Sequence, residues 1–179
     1  MTNTRHARFA ALLAAGFVVP IFWAQGGPQP LPAEAQKRLD HHVGEWDVRT
    51  EILGREGQTL RTTTARDTAE YIIPGRVVEL TTVSNEQTVS KAWMFYNAAA
   101  EKFYLTSVDA RGDLWILTGD LDEYVLTSEP KPHPRGGTLT LRFRHSEIKP
   151  DSFKALMEMS RDGGKKWWIR SRQTLTRRR

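Results

Sequence analysis

Val43-Gly44-Glu45-Trp46-Asp47-Val48-Arg49-Thr50 is the stretch on which the fold turns. Before it, apolar residues recur at helical spacing. From Trp46 the period becomes two, with Trp46, Val48, Thr50 and Ile52 on one face and Glu45, Asp47, Arg49 and Glu51 on the other. Side chains alternate across a strand, so this segment reads as a strand buried on one face and wet on the other. The opposite face, lined by carboxylates, reads as solvated rather than as a glycosidase pair.

Downstream the rhythm repeats. Gly54-Arg55-Glu56-Gly57 turns the chain into a Thr-rich strand, Thr59 to Ala65. Further strands are predicted near Ala69 to Ile73, Val77 to Val83, Lys91 to Tyr96, Phe103 to Val108, Leu114 to Thr118, Tyr124 to Thr127, Leu139 to Phe143, Phe153 to Met159 and Trp167 to Leu175. Short turns rich in Gly, Pro, Asn and Asp separate them, and the proline-containing loop from Ser128 to Gly137 is the longest interruption. Nine or ten strands with close spacing and no long helix between them predict an all-β, antiparallel up-and-down sheet. Closing that sheet into a barrel removes its two open edges; a β-sandwich is the alternative.

Upstream, Pro32 suits a first helical turn, and Ala35, Leu39 and His42 or Val43 follow at helical spacing. A helix this short needs tertiary support, so its Leu39 side is expected to pack over one end of the barrel. Residues 25–31, Gln-Gly-Gly-Pro-Gln-Pro-Leu, read as a linker. Residues 1–24 carry Arg5 and Arg8, no acid, and then the apolar run Phe9 to Ala24, the pattern of a secretory signal peptide. With Gly16 and Pro20 inside it, the run falls short of the roughly 20 apolar residues that span a bilayer. The expectation is a chain cut after Ala24 and exported to the periplasm or secreted, with an uncleaved anchor as the alternative. The remaining 32–179 form one domain.

The chain has no cysteine, which excludes disulfides, thiolate metal sites and a lipid-modified N-terminal cysteine. Removing the leader takes two of the 26 basic residues and none of the 21 acidic ones, leaving a mild +3. That charge, concentrated in Arg177-Arg178-Arg179, reads as a frayed soluble tail, and no nucleic-acid partner is expected.

Gly44-Glu45-Trp46 has the Gly-x-Trp form that opens the first strand of lipocalins, again after a short helix. The wider chain, from about Leu39 to Gln173, resembles a family of exported bacterial domains of unknown function with a lipocalin-like (calycin) barrel. The resemblance rests on Val43 to Val48, on Met94-Phe95-Tyr96-Asn97 and on Asp109-Ala110-Arg111-Gly112. It implies that Trp46 closes the barrel floor beneath an arginine of the last strand, Arg170 or Arg172, and it brings no catalytic residues with it.

Ser160-Arg161-Asp162-Gly163-Gly164-Lys165-Lys166-Trp167 fits the Asp-box pattern known from sialidases. A single copy reads as a structural hairpin, with Asp162 accepting turn amides, Gly164 at positive φ and Trp167 beneath the loop. Arg111-Gly112-Asp113 is likewise read as a turn. His145 continues the apolar row Leu139, Leu141, Phe143 and so has two readings. An interior histidine is what a haem-binding barrel such as nitrobindin requires, whereas a strand-end histidine bonded to backbone is the plainer outcome. His41-His42 at the helix end are expected to cap carbonyls.

No nucleophile elbow, phosphate loop or metalloprotease motif occurs, so an enzyme is not the favoured reading and no cofactor or metal is expected. The leading expectation is a binding barrel for a small apolar or amphipathic molecule. Its inward side chains would include Trp46, Trp93, Phe95, Phe103, Leu105, Trp115, Leu141, Phe143 and His145. An enzyme using an interior acid or histidine, and an interaction protein built on a solid barrel, are the alternatives.

Overall fold

Helix α1 spans Ala33–His42, starts at Pro32 in extended conformation and buries Ala35, Arg38, Leu39 and His42 along one face. Proline is favoured at such a start because its missing N–H is one the helix could not use. The computed structural model describes residues 29–134 and 136–179, so the leader predicted at 1–24 lies outside the described residues. Leu31 to Arg179 form one compact unit that contains every element. Among the described residues no helix is long and apolar enough to cross a membrane.

The strands are β1 Gly44–Leu53, β2 Thr59–Ile73, β3 Val77–Ser84, β4 Gln87–Asn97, β5 Lys102–Asp109, β6 Leu114–Gly119, β7 Val125–Ser128, β8 Lys131–Pro132, β9 Thr138–Lys149, β10 Ser152–Ser160 and β11 Trp168–Arg177. All neighbours run antiparallel, in the order β10-β11-β1-β2-β3-β4-β5-β6-β7-β9, and β9 pairs back onto β10. Ten strands thus close an up-and-down barrel, with the two-residue β8 attached outside this circuit to the start of β9. The barrel, rather than the sandwich, is the outcome. The two predicted strands of residues 59–65 and 69–73 are one 15-residue strand, β2. Arg66 to Thr68 continue the pairing with β1 and β3 without a break, because the backbone ladder is indifferent to the polar side chains that suggested an interruption.

One end of the barrel is filled. Ala35 and Leu39 of the helix, both with no exposed surface, meet Ala69, Val78, Met94, Tyr96, Phe103, Leu117 and Leu126. Beside them Trp46, Val48, Phe153, Ala155 and Leu175 form a second cluster. Trp46 is 2% exposed and donates its indole N–H to the His42 carbonyl at 2.8 Å, so it is the floor residue that the Gly-x-Trp motif predicts. The arginine over it is Arg177, 4.2 Å from the ring centroid, not Arg170 or Arg172. Arg170 instead donates to the Leu53 carbonyl, and Arg172 lies on the outer face.

Arg177 also donates to the carbonyls of Val43 at 2.6 Å and His41 at 2.9 Å. Arg177 therefore ends the last strand and Arg178 is tied to β1 rather than frayed: its amide bonds the Glu45 carbonyl, and its side chain pairs with Glu45 and Asp47. This also explains the glycine of the motif. Gly44 has φ +128°, and a Cβ there would collide with the Arg177 guanidinium.

The Asp-box is a structural hairpin. Asp162 Oδ1 accepts the amides of Lys165 and Lys166, Ser160 Oγ accepts that of Gly164, and Gly164 has φ +90° with the Trp167 ring beneath it.

Candidate functional site

Away from the helix-covered end the barrel is hollow. A cavity of ≈ 220 Å³ is lined by the apolar side chains of Leu80, Met94, Leu105, Trp115, Phe143 and Phe153 and by a smaller set of polar ones. Cross-strand register places the wall residue by residue. Trp46, Asp67, Thr82, Ser90 and Asp109 are successive partners across β1 to β5. The next inward row towards the helix is Ala69, Leu80, Ala92, Ser107 and Trp115, and the next Val78, Met94, Leu105 and Leu117. Large side chains thus fill the helix-proximal rows, while Thr, Ser and Asp in the outer row leave space. The cavity reaches the surface beside Asp113, whose side chain is 56% exposed.

The inner end of the cavity carries two imidazoles. His42 and His145 lie with ring centroids 5.4 Å apart, and both rings contact Phe153. Nδ1 of His42 is 2.9 Å from the Arg38 carbonyl, which can only accept, so Nδ1 carries the hydrogen. Its Nε2 is then a lone-pair acceptor, buried and without a protein partner. Burial, reinforced by the positive charges of Arg38 and Arg177, lowers the His42 pKa from 6.5 to about 4. His145 is lowered well below the usual histidine range, again by burial first and then by His42, Arg38 and His41. His145 is half-buried and lines the cavity. Both are neutral at pH 7.

The charge behind them is Arg38, 1% exposed on the helix face. It donates to the Glu123 carbonyl at 2.8 Å and lies 4.2 Å from the Phe103 ring centroid, and burial lowers its pKa to about 10. At that value it remains a cation, and it helps keep protons off the imidazoles.

Asp67 occupies the wall. It is largely buried, its carboxyl accepts the Thr82 hydroxyl, and its Oδ1 has no protein partner. Burial raises its pKa, and the Thr82 bond opposes that only in part. The acids at the mouth differ: Asp109 binds the amides of Arg111 and Asp113 and the Arg111 guanidinium, which also pairs with Asp113. The Arg111-Gly112-Asp113 tripeptide is thus a turn folded around Asp109.

Of the residues expected to line a site, Trp115, Phe143 and His145 line the cavity, as does Leu105. Trp46 and Phe103 are buried in the filled end, and Leu141 belongs to the same packed core. Trp93 and Phe95 are on the outer face. The alternation that turns Ala92 and Met94 inward turns these two outward, where Trp93 donates to Glu79 at 3.0 Å and Phe95 stacks on Tyr104. His42, read from the sequence as a carbonyl cap and indeed bonded to the Arg38 carbonyl, also lines the cavity, and Asp67 is a lining residue that sequence reasoning passed over. Asp67 had a legible signal, an acid in register with Ala65 and Ala69 on the inward row. Among the described residues no three His, Cys, Asp or Glu side chains converge to hold a metal.

Residues 31–174 match a protein family described as "Protein of unknown function (DUF1579)". Among solved structures, the chain resembles Rv2717c from M. tuberculosis, at 15% identity and a TM-score of 0.50, covering 84% of this chain and 100% of that one. A redesigned β-barrel, b11L5F_LGL, aligns at 12% identity and a TM-score of 0.40, covering 79% of this chain and 95% of that chain. EF1p2_mFAP2b bound to DFHBI aligns at 10% identity and a TM-score of 0.40, covering 82% and 100% respectively. At such identities the likeness is one of fold. No curated protein sequence matches the chain.

Proposed function

The chain belongs to the DUF1579 family of unknown function, and from the geometry of its barrel we propose that it is a binding protein for one small apolar or amphipathic molecule. The observation that carries this reading is the ≈ 220 Å³ cavity whose wall combines aromatic and aliphatic side chains with buried polar atoms lacking partners. A buried acceptor left unpaired costs about 1–3 kcal/mol, a cost that a ligand donating to it removes. The volume exceeds the ~150 Å³ engineered cavity that admits benzene but falls below the roughly 300 Å³ at which pockets for drug-sized molecules begin. It suits one or two rings. A macrocycle such as haem does not fit beside His145 in this space.

Native mass spectrometry on protein recovered from its own cells, set against the same sample denatured, tests the proposal. The expected result is an extra mass present only in the native spectrum and absent from Ala92→Phe, which puts a ring into the cavity. An extra mass that survives Ala92→Phe, or none in the wild-type chain, overturns it.

A further inference from the structure

The electrostatics of the cavity oppose those of the chain as a whole. Lys and Arg outnumber Asp and Glu by 26 to 21, yet the lining holds three aspartates, Asp67, Asp109 and Asp113, and neither Lys nor Arg. Arg111 pairs with both at the mouth and offsets one of their two charges, whereas Asp67 is the lining carboxylate with no basic side chain against it among the described residues. The other unpartnered cavity atom, His42 Nε2, is also an acceptor.

Resting on the binding reading above, we infer that the ligand is a small organic cation, an amine with an apolar body of one ring or so, whose ammonium group donates to Asp67. An ammonium carries only donors, and the cavity offers unpaired acceptors. A carboxylate or phosphate ligand would bring a like charge beside Asp67 and find no lining cation to pair with. A neutral alcohol would satisfy one acceptor and leave the carboxylate uncompensated. The position of the charge follows too. Arg38 and Arg177 lie behind the imidazoles and repel a cation from the inner end, so the ammonium sits at the level of Asp67, Thr82 and Ser90. The apolar body lies against Leu105, Trp115 and Phe143, all of which line the same cavity. Burial raises the Asp67 pKa, and an ammonium beside it acts in the opposite sense by favouring the ionised form.

Calorimetric titration of the full chain at neutral pH with benzylammonium, benzyl alcohol and benzoate tests this, since the three share one ring and differ in charge. Benzylammonium is expected to bind tightest, benzyl alcohol more weakly, and benzoate not measurably. Asp67→Asn keeps the shape and removes the charge; it is expected to weaken benzylammonium about ten-fold or more and to leave benzyl alcohol within about two-fold. Benzyl alcohol binding also reports that the variant is folded. Should Asp67→Asn fail to fold, the order of the three probes on the unaltered chain decides alone. Benzoate or benzyl alcohol binding as tightly as benzylammonium, or Asp67→Asn leaving benzylammonium unchanged, overturns the inference while sparing the binding reading. Failure of all three probes overturns both.

Discussion

Acidification should destabilise the protein through the inner end of the cavity. His42 has a folded pKa of about 4 against 6.5 for the free side chain. Above pH 6.5 the ring is neutral in both states and the shift has no effect. Between the two values the unfolded chain takes up a proton that the folded chain refuses, so stability falls as pH falls. Going from pH 7.5 to pH 5 the loss from His42 alone is about 2 kcal/mol. His145 and His41 are shifted in the same direction and add to it. Asp67 works the other way, because its raised pKa lets the folded chain bind a proton first. Urea unfolding at the two pH values reads the balance. With a slope of about 2 kcal/mol per M, the midpoint should drop by ~1 M or more at pH 5. The control is His42→Asn, whose amide N–H stands in for Nδ1–H towards the Arg38 carbonyl but does not titrate. It should be less stable than wild type at pH 7.5 and lose about 2 kcal/mol less on acidification. A wild-type midpoint that moves by under ~0.25 M, or an unchanged pH slope in His42→Asn, would refute the assignment of a buried neutral imidazole.

Two further expectations concern the ends of the chain. Trp46→Ala should cost roughly 3–5 kcal/mol, and Arg177→Ala about 1.5–3 kcal/mol through its charged hydrogen bonds to backbone carbonyls, whereas Arg172→Ala on the outer face should stay within ~0.5 kcal/mol. Unfolding free energies that rank Arg172 with Arg177 would mean that the floor of the barrel is wrongly built. We also propose that residues 1–24 act as an export leader: intact-mass measurement on protein from the cell envelope should give a chain beginning at Gln25, and a full-length mass would refute cleavage.

The barrel was legible in the sequence because its decisive signals are local. Trp46 and Val48 alternate with Glu45 and Asp47, and turn residues punctuate nearly every hairpin. The inward face of β4 was not legible, because both of its rows are apolar: Ala92 and Met94 on one, Trp93 and Phe95 on the other. Size favours the second pair, but closure of the barrel selects the first. The breadth of β2 was hidden by Asp67, which reads as a strand breaker until the neighbouring strands form a cavity around it. Of the site, Trp115, Phe143 and His145 follow from alternation alone. His42 does not, because its role depends on where the helix docks, and that is set by contacts far away in sequence. The same holds for Arg177, which acts across the seam between the first and last strands.

That seam has a consequence for how the protein is made. β11 pairs with both β10 and β1, so the ring is completed only by the last strand, whose partner on β1 lies more than a hundred residues earlier. Contacts of such long range form late and slowly. During synthesis, β1 waits with one edge unpaired and Trp46 without its arginine cover until Arg177 emerges, so the earlier part of the chain cannot reach the finished state on its own. For a chain that must cross a membrane before folding, as the proposed leader implies, a clasp fastened by β11 keeps the barrel open until that strand has crossed.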